Sequence, residues 1–248
     1  MWNRAELKTR AKDTMRGHYW TAFLASLVVG LATGGAGGGS SYRFGQNNLQ
    51  NGDVQSSLRQ FLDRPEYVAG FFLGLSLVVV LSILFSLFVA GPLEVGGRRY
   101  FTSACCRQYD LSSLGFSFQR GRYMNVVGVQ FLRGLYTFLW SLLFVIPGIV
   151  KAYAYSMVPY ILADNPNLPA SRAIELSCRM TAGQKWKIFV LDLSFLGWIL
   201  LGALACGVGV LFVNPYIDST RAELYMLLRH NALQDGLTTM EELCLVRN

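Results

Sequence analysis

Residues 67–93 read YVAGFFLGLSLVVVLSILFSLFVAGPL, a run of 27 residues that contains no charged side chain. A helix rises about 1.5 Å per residue, so about 20 apolar residues are enough to cross the hydrocarbon core of a bilayer. A second uncharged run, LSFLGWILLGALACGVGVLFVNPYI, occupies the 25 residues 193–217. The two runs predict a membrane protein rather than a soluble domain.

The composition of the 248-residue chain agrees with this prediction, because 52% of the residues are hydrophobic, only 15% are charged, and the mean hydropathy is +0.34. Soluble domains carry about 25% charged residues, so the charge here is too sparse for a water-facing surface. The long apolar runs and the 13% aromatic content exclude a disordered chain. A net charge of +7 is explained by basic cytoplasmic loops, so we expect no nucleic-acid partner.

Shorter or broken apolar segments complete the set of predicted spans. The segment 123–163 is too long for one span, and its Ile146-Pro147-Gly148 sequence predicts a tight turn between two helices. Cys206-Gly207-Val208-Gly209 predicts a similar turn in the last run. The predicted fold is all-α and polytopic, a single membrane domain over 1–248 whose six helices form three hairpins, with spans at about 20–33, 68–91, 125–146, 149–163, 187–206 and 210–228.

Two alternatives to this arrangement stay open. In a five-span arrangement, residues 193–217 cross the membrane alone and the C-terminus lies outside. The first apolar segment could also be a signal peptide, although Glu6, Asp13 and Trp20 argue against cleavage.

The distribution of Lys and Arg favours six spans with the N-terminus inside. The predicted cytoplasmic pieces 1–19, 92–123, 164–187 and 229–248 hold 16 of the 22 basic residues, and the outer pieces hold 4. Cytoplasmic loops of membrane proteins carry such an excess of Lys and Arg. We therefore expect a multi-pass protein of the plasma membrane with both termini in the cytoplasm.

Two cytoplasmic segments have the pattern of helices that lie in the plane of the membrane. Residues 1–19 mix five basic side chains with apolar ones, as a basic interfacial helix does. Residues 168–182 are predicted to form a second such helix, with Asn167 as its cap and Gly183 as its stop. On that helix the charged side chains Arg172, Glu175 and Arg179 share one face, and the apolar side chains Ala173, Leu176 and Met180 share another.

Five runs of the sequence carry a family resemblance: MWNRAELKTRAK, GPLEVGGRRYF, FLWSLLFVIPGIVKAYAYSMVPYILADNP, GQKWKIFVLDLSFLGWILLG and LFVNPYIDSTRAELY. Over nearly its whole length the chain resembles an uncharacterised bacterial integral membrane family, catalogued as domain of unknown function nine hundred and seventy-five. It is more distantly similar to the membrane region of some glycerophosphodiester phosphodiesterases. The resemblance implies an all-helical membrane fold and no catalytic residues, because the phosphodiesterase chemistry sits in a separate domain.

The last predicted span carries a candidate intramembrane polar cluster. Asn214, Asp218, Arg221 and Tyr225 follow one another at spacings of four, three and four, which places them on one face of a helix. Asp218 and Arg221 could pair directly. Ionisable groups at membrane depth are costly and often functional, so the face predicts a polar cavity for an ion or an anionic headgroup. A purely structural ion pair that fixes the helix register is the alternative.

Other charged residues give two further candidates. Arg133 and Asp192 are a candidate interhelical pair, whereas Glu94 and Arg98 are spaced for a local pair four residues apart. A basic rim at the cytoplasmic face would bind anionic lipid headgroups loosely. Its candidate members are Arg98, Arg99, Arg120, Arg122, Lys185 and Lys187.

Three common enzyme motifs are absent from the sequence. It lacks a G-x-S-x-G elbow, an H-E-x-x-H zinc motif and a Walker A loop, so we expect no enzymatic activity and no catalytic residues. The five cysteines form no C-x-x-C pair and the two histidines stand apart, so no metal site or cofactor is expected.

These observations predict a protein that binds or moves lipid-like or small amphiphilic molecules through a polar intramembrane cavity. The alternative is a membrane scaffold or regulator that recruits a partner of unknown identity through its cytoplasmic basic helices. Membrane lipids, with anionic headgroups at the cytoplasmic face, are the expected partners in either case.

Overall fold

A computed structural model of the protein describes residues 3–15, 18–33, 65–119, 121–204 and 208–245. Within these residues the secondary structure is helical and contains no strand, which confirms the all-α prediction. Outside the described residues lie the glycine-rich run 34–41, residues 42–64 of the predicted outer loop 42–66, and Arg120. So do residues 205–207, which include part of the last predicted turn.

Ten α-helices are described, together with a π-helical turn at Ser86–Ala90 and a 3-10 helix at Leu111–Phe118. In chain order the α-helices are α1 (Arg4–Met15), α2 (Tyr19–Thr33), α3 (Pro65–Phe85), α4 (Gly91–Cys105), α5 (Tyr123–Leu143), α6 (Val145–Ala154), α7 (Val158–Asp164), α8 (Ala170–Met180), α9 (Lys185–Leu204) and α10 (Val208–Gln234).

The chain divides into two compact units, Gly39–Ser86 and the remainder, Met1–Gly38 with Leu87–Asn248. The described part of the first unit is mainly α3, and its large apolar side chains from Phe71 to Phe85 are exposed. A helix that is apolar on all faces and exposed suits lipid rather than water.

Three helical stretches are long and apolar enough to cross a membrane: Val68–Cys105, Tyr123–Leu143 and Val145–Asp164. They indicate a membrane protein. The polar and charged side chains described below belong to the larger unit.

The α5–α6 hairpin forms where the sequence predicted it, but the break lies two residues earlier than Ile146-Pro147-Gly148. Phe144 is extended, with φ −157° and ψ 141°, and Pro147 occupies the first turn of α6. Proline is tolerated there because the first N–H groups of a helix have no intrahelical partner. A Cβ at Gly148 would lie 2.7 Å from Ser141 Cα, so the two helices approach closely at this glycine.

The predicted span 149–163 is not one helix. α6 ends at Ala154 and α7 begins at Val158, with Pro159 in its first turn. The proline has no N–H to donate to the preceding turn, so the helix is interrupted just before it. The interruption brings Met157 and Tyr160 to the cavity described below.

The last apolar run folds back on itself. A Cβ on Gly202 would lie 2.8 Å from Gly209 C, the rings of Phe195 and Tyr216 lie 5.5 Å apart, and Asp192 pairs with Arg221. These contacts join residues ever further from the turn, as an antiparallel hairpin requires. Residues 193–217 therefore do not form the single continuous helix on which the five-span alternative depends.

The core of the larger unit lies where α4, α7, α8, α9 and α10 meet. Its largest fully buried side chains are Tyr100, Tyr225, Phe195, Ile161, Leu162, Leu176, Leu191, Leu224, Leu228 and Leu243. α1 packs on this core through Leu7, Ala11 and Met15. Its basic side chains also reach aromatic rings, since Lys8 Nζ lies 4.3 Å from the ring centre of Phe195.

α8 has the two faces that the sequence predicted. Ala173, Leu176 and Met180 are buried, and Glu175 pairs with both Arg172 and Arg179 on the other face. The predicted cap at Asn167 is wrong, because the helix begins at Ala170 after Pro169. Asn167 instead donates its N–H to the side chain of Asn165 in the preceding turn.

The C-terminal segment is held against α8 by a salt bridge. Arg172 Nε lies 2.6 Å from Glu242 Oε1, and Arg172 Nη2 lies 3.1 Å from Glu242 Oε2. These hydrogen bonds from Arg172 lower the pKa of the Glu242 carboxyl group. The described chain therefore ends packed on the core rather than free of it.

Candidate functional site

A polar cavity of about 310 Å³ lies within the larger unit. Its charged and hydroxylated lining residues are Glu94, Arg98, Arg133, Tyr153, Ser156, Tyr160, Asp192 and Arg221. They come from α4, α5, α6, α7, α9 and α10 and the turn between α6 and α7. Ala152, Met157, Ile188 and Leu224 supply the apolar part of the wall.

Arg98 lies at the centre of the first charged network. Its Nη1 lies 2.7 Å from Asp218 Oδ1 on α10, and its Nη2 lies 3.5 Å from Glu94 Oε1, one turn earlier on α4. The guanidinium carbon lies 5.2 Å from the ring centre of Tyr160, within cation–π range. The charge of Arg98 is therefore compensated from two helices while its plane faces an aromatic ring.

The two acidic partners of Arg98 have further donors. Ser26 Oγ on α2 donates to Asp218 Oδ2 at 2.6 Å. On the other side, Gln130 Nε2 donates to Glu94 Oε2 at 3.2 Å, and Arg133 Nη1 lies 3.3 Å from the same oxygen. Both oxygens of each carboxylate are thus engaged, as buried charges require.

Arg221 and Asp192 form a second ion pair across the α9–α10 hairpin. Asp192 Oδ1 accepts from Arg221 Nη2 at 3.1 Å and from Nε at 3.3 Å. The side chain of Arg221 is 39% exposed and that of Asp192 is 21% exposed, so this pair is more open than the Arg98 network. It forms part of the cavity wall rather than of the core.

A third network lies one turn further along α10 and outside the cavity lining. Tyr225 donates its hydroxyl to Asp164 Oδ2 at 2.5 Å, and Arg229 Nη1 lies 2.8 Å from the same oxygen. The ring of Tyr225 stacks on that of Tyr160, with centroids 5.1 Å apart. The aromatic stack connects this network to the cavity wall.

Two buried polar atoms at the cavity have no hydrogen-bond partner among the described residues. They are the hydroxyl oxygen of Tyr160 and Nε of Arg98. Tyr160 is only 2% exposed. A buried polar group without a partner costs free energy, so such a group at a cavity is a candidate ligand contact.

The structure redistributes the ion pairs that the sequence suggested. Asp218 pairs with Arg98 rather than with Arg221, which pairs with Asp192. Arg133 pairs with Glu94, so the candidate pair of Arg133 with Asp192 is not formed, although both residues line the same cavity. Of the predicted polar face, Asp218, Arg221 and Tyr225 each form a hydrogen bond in a different one of the three networks. Asn214, the first residue of that face, has no hydrogen bond with these three residues.

The candidate basic rim is divided. The side chain of Arg98 is only 14% exposed and belongs to the cavity network rather than to a rim. Arg99 donates to the carbonyl oxygen of Ala163 at 2.6 Å and, like Arg122, lies over the ring of Phe116. Lys185 and Lys187 begin α9 and take no part in these contacts, and Arg120 lies outside the described residues.

Sequence reasoning missed several members of the networks, above all Tyr160, Ser26, Gln130, Asp164 and Arg229. The spacing of Gln130 and Arg133 on one helix face is a signal that could have found Gln130. Tyr160 carries no such signal, because tyrosines in membrane proteins are common in interfacial belts. Tyr160 lines the cavity because the chain is interrupted between α6 and α7, and the sequence did not predict that interruption.

A wider groove of about 720 Å³ lies on the surface beside α1, and its lining includes Arg10, His18 and Glu223. His18 stacks on Tyr109 there, with ring centroids 3.8 Å apart, and Thr14 donates to Glu223. None of the unpartnered buried polar atoms of the described residues belongs to this groove. We therefore place the candidate site in the smaller cavity.

In the part of the chain that the structure describes, no three His, Cys, Asp or Glu side chains gather in a way that could hold a metal ion. The carboxylates of the cavity instead face arginines. The arrangement offers hydrogen bonds and charge to a bound molecule.

The sequence profile of one protein family, described as "Protein of unknown function (DUF975)", matches residues 141–232. The match supports the family resemblance indicated by the sequence and covers Tyr160, Asp192 and Arg221. A search of curated proteins and a search of solved structures each give no match. The distant similarity to glycerophosphodiester phosphodiesterases stays a prediction.

Proposed function

We propose that this DUF975 family protein is a non-enzymatic membrane protein that binds or moves a lipid-like or small amphiphilic molecule, whose polar part occupies the cavity at Arg98, Tyr160 and Arg221. The observation that carries the proposal is the buried Tyr160 hydroxyl group, which has no partner among the described residues at a cavity lined by three arginines. An ionisable residue within a transmembrane segment is a candidate functional residue by default, and Arg133, Asp192 and Arg221 lie in predicted spans.

The size of the cavity supports an amphiphile held by its polar end. Ligand pockets enclose about 300–1,000 Å³, so a cavity of about 310 Å³ accommodates a headgroup but not a whole lipid. Apolar side chains line part of the wall, including Met157, Ile188 and Leu224. In this proposal the acyl chains leave the cavity along the apolar surfaces of the spans.

We also propose the arrangement of the chain in the membrane: six spans in three hairpins, in the plasma membrane, with both termini in the cytoplasm. The antiparallel α9–α10 hairpin supports the even number of crossings. The excess of Lys and Arg in the intervening pieces supports the orientation. In this arrangement α1 and α8 lie at the cytoplasmic surface, where anionic headgroups are the lipid partners.

A scaffold or regulator is the second candidate function, and the exposed face of α8 favours it. Arg179 and Glu175 have side chains 55% and 46% exposed, in a row of charges that a partner protein could contact. Such a protein needs the cavity networks only for stability. Ligand retention therefore separates the two candidates.

The test compares two Tyr→Phe variants by native mass spectrometry of protein released gently from its membrane. Tyr160→Phe removes a hydroxyl group that has no partner among the described residues, so we expect an unchanged melting temperature and weaker retention of the co-purified ligand. Tyr100→Phe is the matched control, because the buried Tyr100 hydroxyl donates to Thr21 Oγ1 at 2.9 Å, away from the cavity. Its loss should cost about 0.5–1.5 kcal/mol of stability and leave retention unchanged.

The proposal fails if the wild-type protein retains no lipid or amphiphile. It also fails if Tyr160→Phe and Tyr100→Phe retain the same set as the wild type. Either result would favour the scaffold function, in which the cavity has no ligand.

A further inference from the structure

We infer that the polar part of the ligand is a phosphodiester anion, bound by the free N–H donors of Arg98, Arg133 and Arg221 and by the hydroxyl group of Tyr160. The inference rests on the proposed ligand cavity and adds the chemical class of the headgroup. Three features of the cavity carry the inference: the charge at its wall, the balance of donors and acceptors, and the directions from which the donors approach.

The charged groups that line the cavity are three arginines and two carboxylates, Glu94 and Asp192. Asp218 compensates Arg98 but is not part of the lining. The arginines that face the cavity therefore outnumber the carboxylates that face it by one, while Asp218 balances Arg98 from outside the lining. An anion in the cavity thus faces more arginines than carboxylates, whereas an ammonium group would face an excess of like charge.

The balance of hydrogen-bonding groups points the same way. Both oxygens of Glu94 and both oxygens of Asp218 already accept hydrogen bonds. A guanidinium group carries five N–H donors and no acceptor. Nε of Arg98 has no partner among the described residues, and the contacts of Arg133 with Glu94 and Gln130 both use its Nη1. Around Arg98 and Arg133 the unused hydrogen-bonding capacity is therefore that of donors, which a ligand with several acceptor oxygens satisfies.

The donors approach the cavity from four different elements, since Arg98 lies on α4, Arg133 on α5, Tyr160 on α7 and Arg221 on α10. The two oxygens of a carboxylate lie in one plane, so they reach donors from fewer directions than the oxygens of a phosphate do. A tetrahedral phosphate presents oxygens in several directions and matches guanidinium groups by paired hydrogen bonds. The distribution of the donors therefore favours a phosphate over a carboxylate.

The experiment measures binding to the delipidated full-length protein in an uncharged detergent by native mass spectrometry. Four probes are compared: dioleoyl phosphatidylglycerol, dioleoylglycerol with the same tails and no phosphate, oleate with a carboxylate, and inorganic phosphate without tails. We expect the wild type to bind phosphatidylglycerol at least about tenfold more tightly than the other three, a difference of about 1.4 kcal/mol.

Arg221→Gln tests the site, and Arg229→Gln is its matched control. Both arginines lie on α10 and pair with an aspartate, but only Arg221 lines the cavity. We expect Arg221→Gln to remove the preference for phosphatidylglycerol and Arg229→Gln to retain it. Arg221→Lys keeps the positive charge beside Asp192 and therefore serves as a control for misfolding of Arg221→Gln. We expect Arg221→Lys to show an intermediate preference for phosphatidylglycerol.

The outcomes separate this inference from the proposed function. Equal binding of dioleoylglycerol or oleate would overturn the phosphate inference and leave amphiphile binding intact. Inorganic phosphate bound as tightly as phosphatidylglycerol would support the phosphate chemistry and overturn the amphiphile proposal. No binding of any probe, or equal binding by wild type and Arg221→Gln, would overturn the inference.

Discussion

Arg98 connects the acidic groups of two helices at the cavity. Its side chain is 14% exposed and contacts acidic groups on two helices, Asp218 on α10 and Glu94 on α4. Removing one partner of a buried ion pair leaves the other charge uncompensated, which costs about 3–5 kcal/mol. We therefore expect a neutral replacement of Arg98 alone, or of Asp218 alone, to lower the stability of the protein.

A double-mutant cycle tests which arginine Asp218 pairs with. For Asp218→Asn combined with Arg98→Gln, we expect the loss of stability to fall short of the sum of the single losses by about 1–3 kcal/mol. Asp218→Asn combined with Arg221→Gln is the control and should be close to additive, because Arg221 pairs with Asp192. Thermal unfolding in detergent gives both couplings, and a larger coupling to Arg221 would contradict the described pairing.

The same residues show what the sequence could and could not predict about the site. Spacing along one helix placed Asp218, Arg221 and Tyr225 on a common face, and all three form polar contacts. Spacing does not reveal which helix lies opposite, so the partners of Asp218, Arg133 and Asp192 were predicted wrongly. Contacts between residues far apart in sequence depend on helix packing, which periodicity within one helix does not encode.

At the scale of elements, the α9–α10 hairpin fixes the distance between the walls of the cavity. Gly202 and Gly209 lie so close that a Cβ on Gly202 would be 2.8 Å from both Gly209 C and Val210 N. Backbone atoms cannot rotate away as a side chain can. The hairpin can therefore form in this geometry only with glycine at these positions, and Asp192 meets Arg221 as a consequence.

Gly202→Ala and Gly197→Ala test this close approach on one helix. We expect Gly202→Ala to separate α9 from α10, to lower the melting temperature by several degrees and to weaken ligand retention. A Cβ at Gly197 meets no atom within 4 Å, so Gly197→Ala should leave both quantities unchanged or raise stability slightly. Equal effects of the two substitutions in thermal unfolding would show that the contact does not hold the hairpin.

Helices were predictable from the sequence where the length of an apolar run and the turn residues beside it define the element. They were less predictable at prolines, because a proline can either end a helix or lie in its first turn. The sequence indicated a turn at Pro147, but the proline fits the first turn of α6 and the chain breaks at Phe144. It also indicated one helix over 149–163, whereas Pro159 begins a separate one, α7. Proline permits a helix to start as readily as it ends one, and only packing decides between the two.

At the scale of the whole molecule, the apolar surface and the charged networks require opposite surroundings. The exposed side chains of α3 and of the end of α5, such as Leu142 at 74% exposure, need lipid. The ion pairs of the larger unit need to be enclosed by protein. The composition predicted the need for lipid, because the excess of apolar residues is an average over the whole chain. The enclosure of the ion pairs depends on the packing of helices, which composition does not report.

The six-span proposal predicts that Cys106 and Cys244 lie on the cytoplasmic side. Both thiols are exposed, whereas Cys105 and Cys178 are half-buried. Variants that retain only Cys106 or only Cys244 should resist a membrane-impermeant maleimide in intact cells and react after permeabilisation. Because α9 and α10 return on themselves, an even number of spans places both residues on one side. Reaction of Cys244 but not Cys106 in intact cells would support five spans and contradict the proposed arrangement.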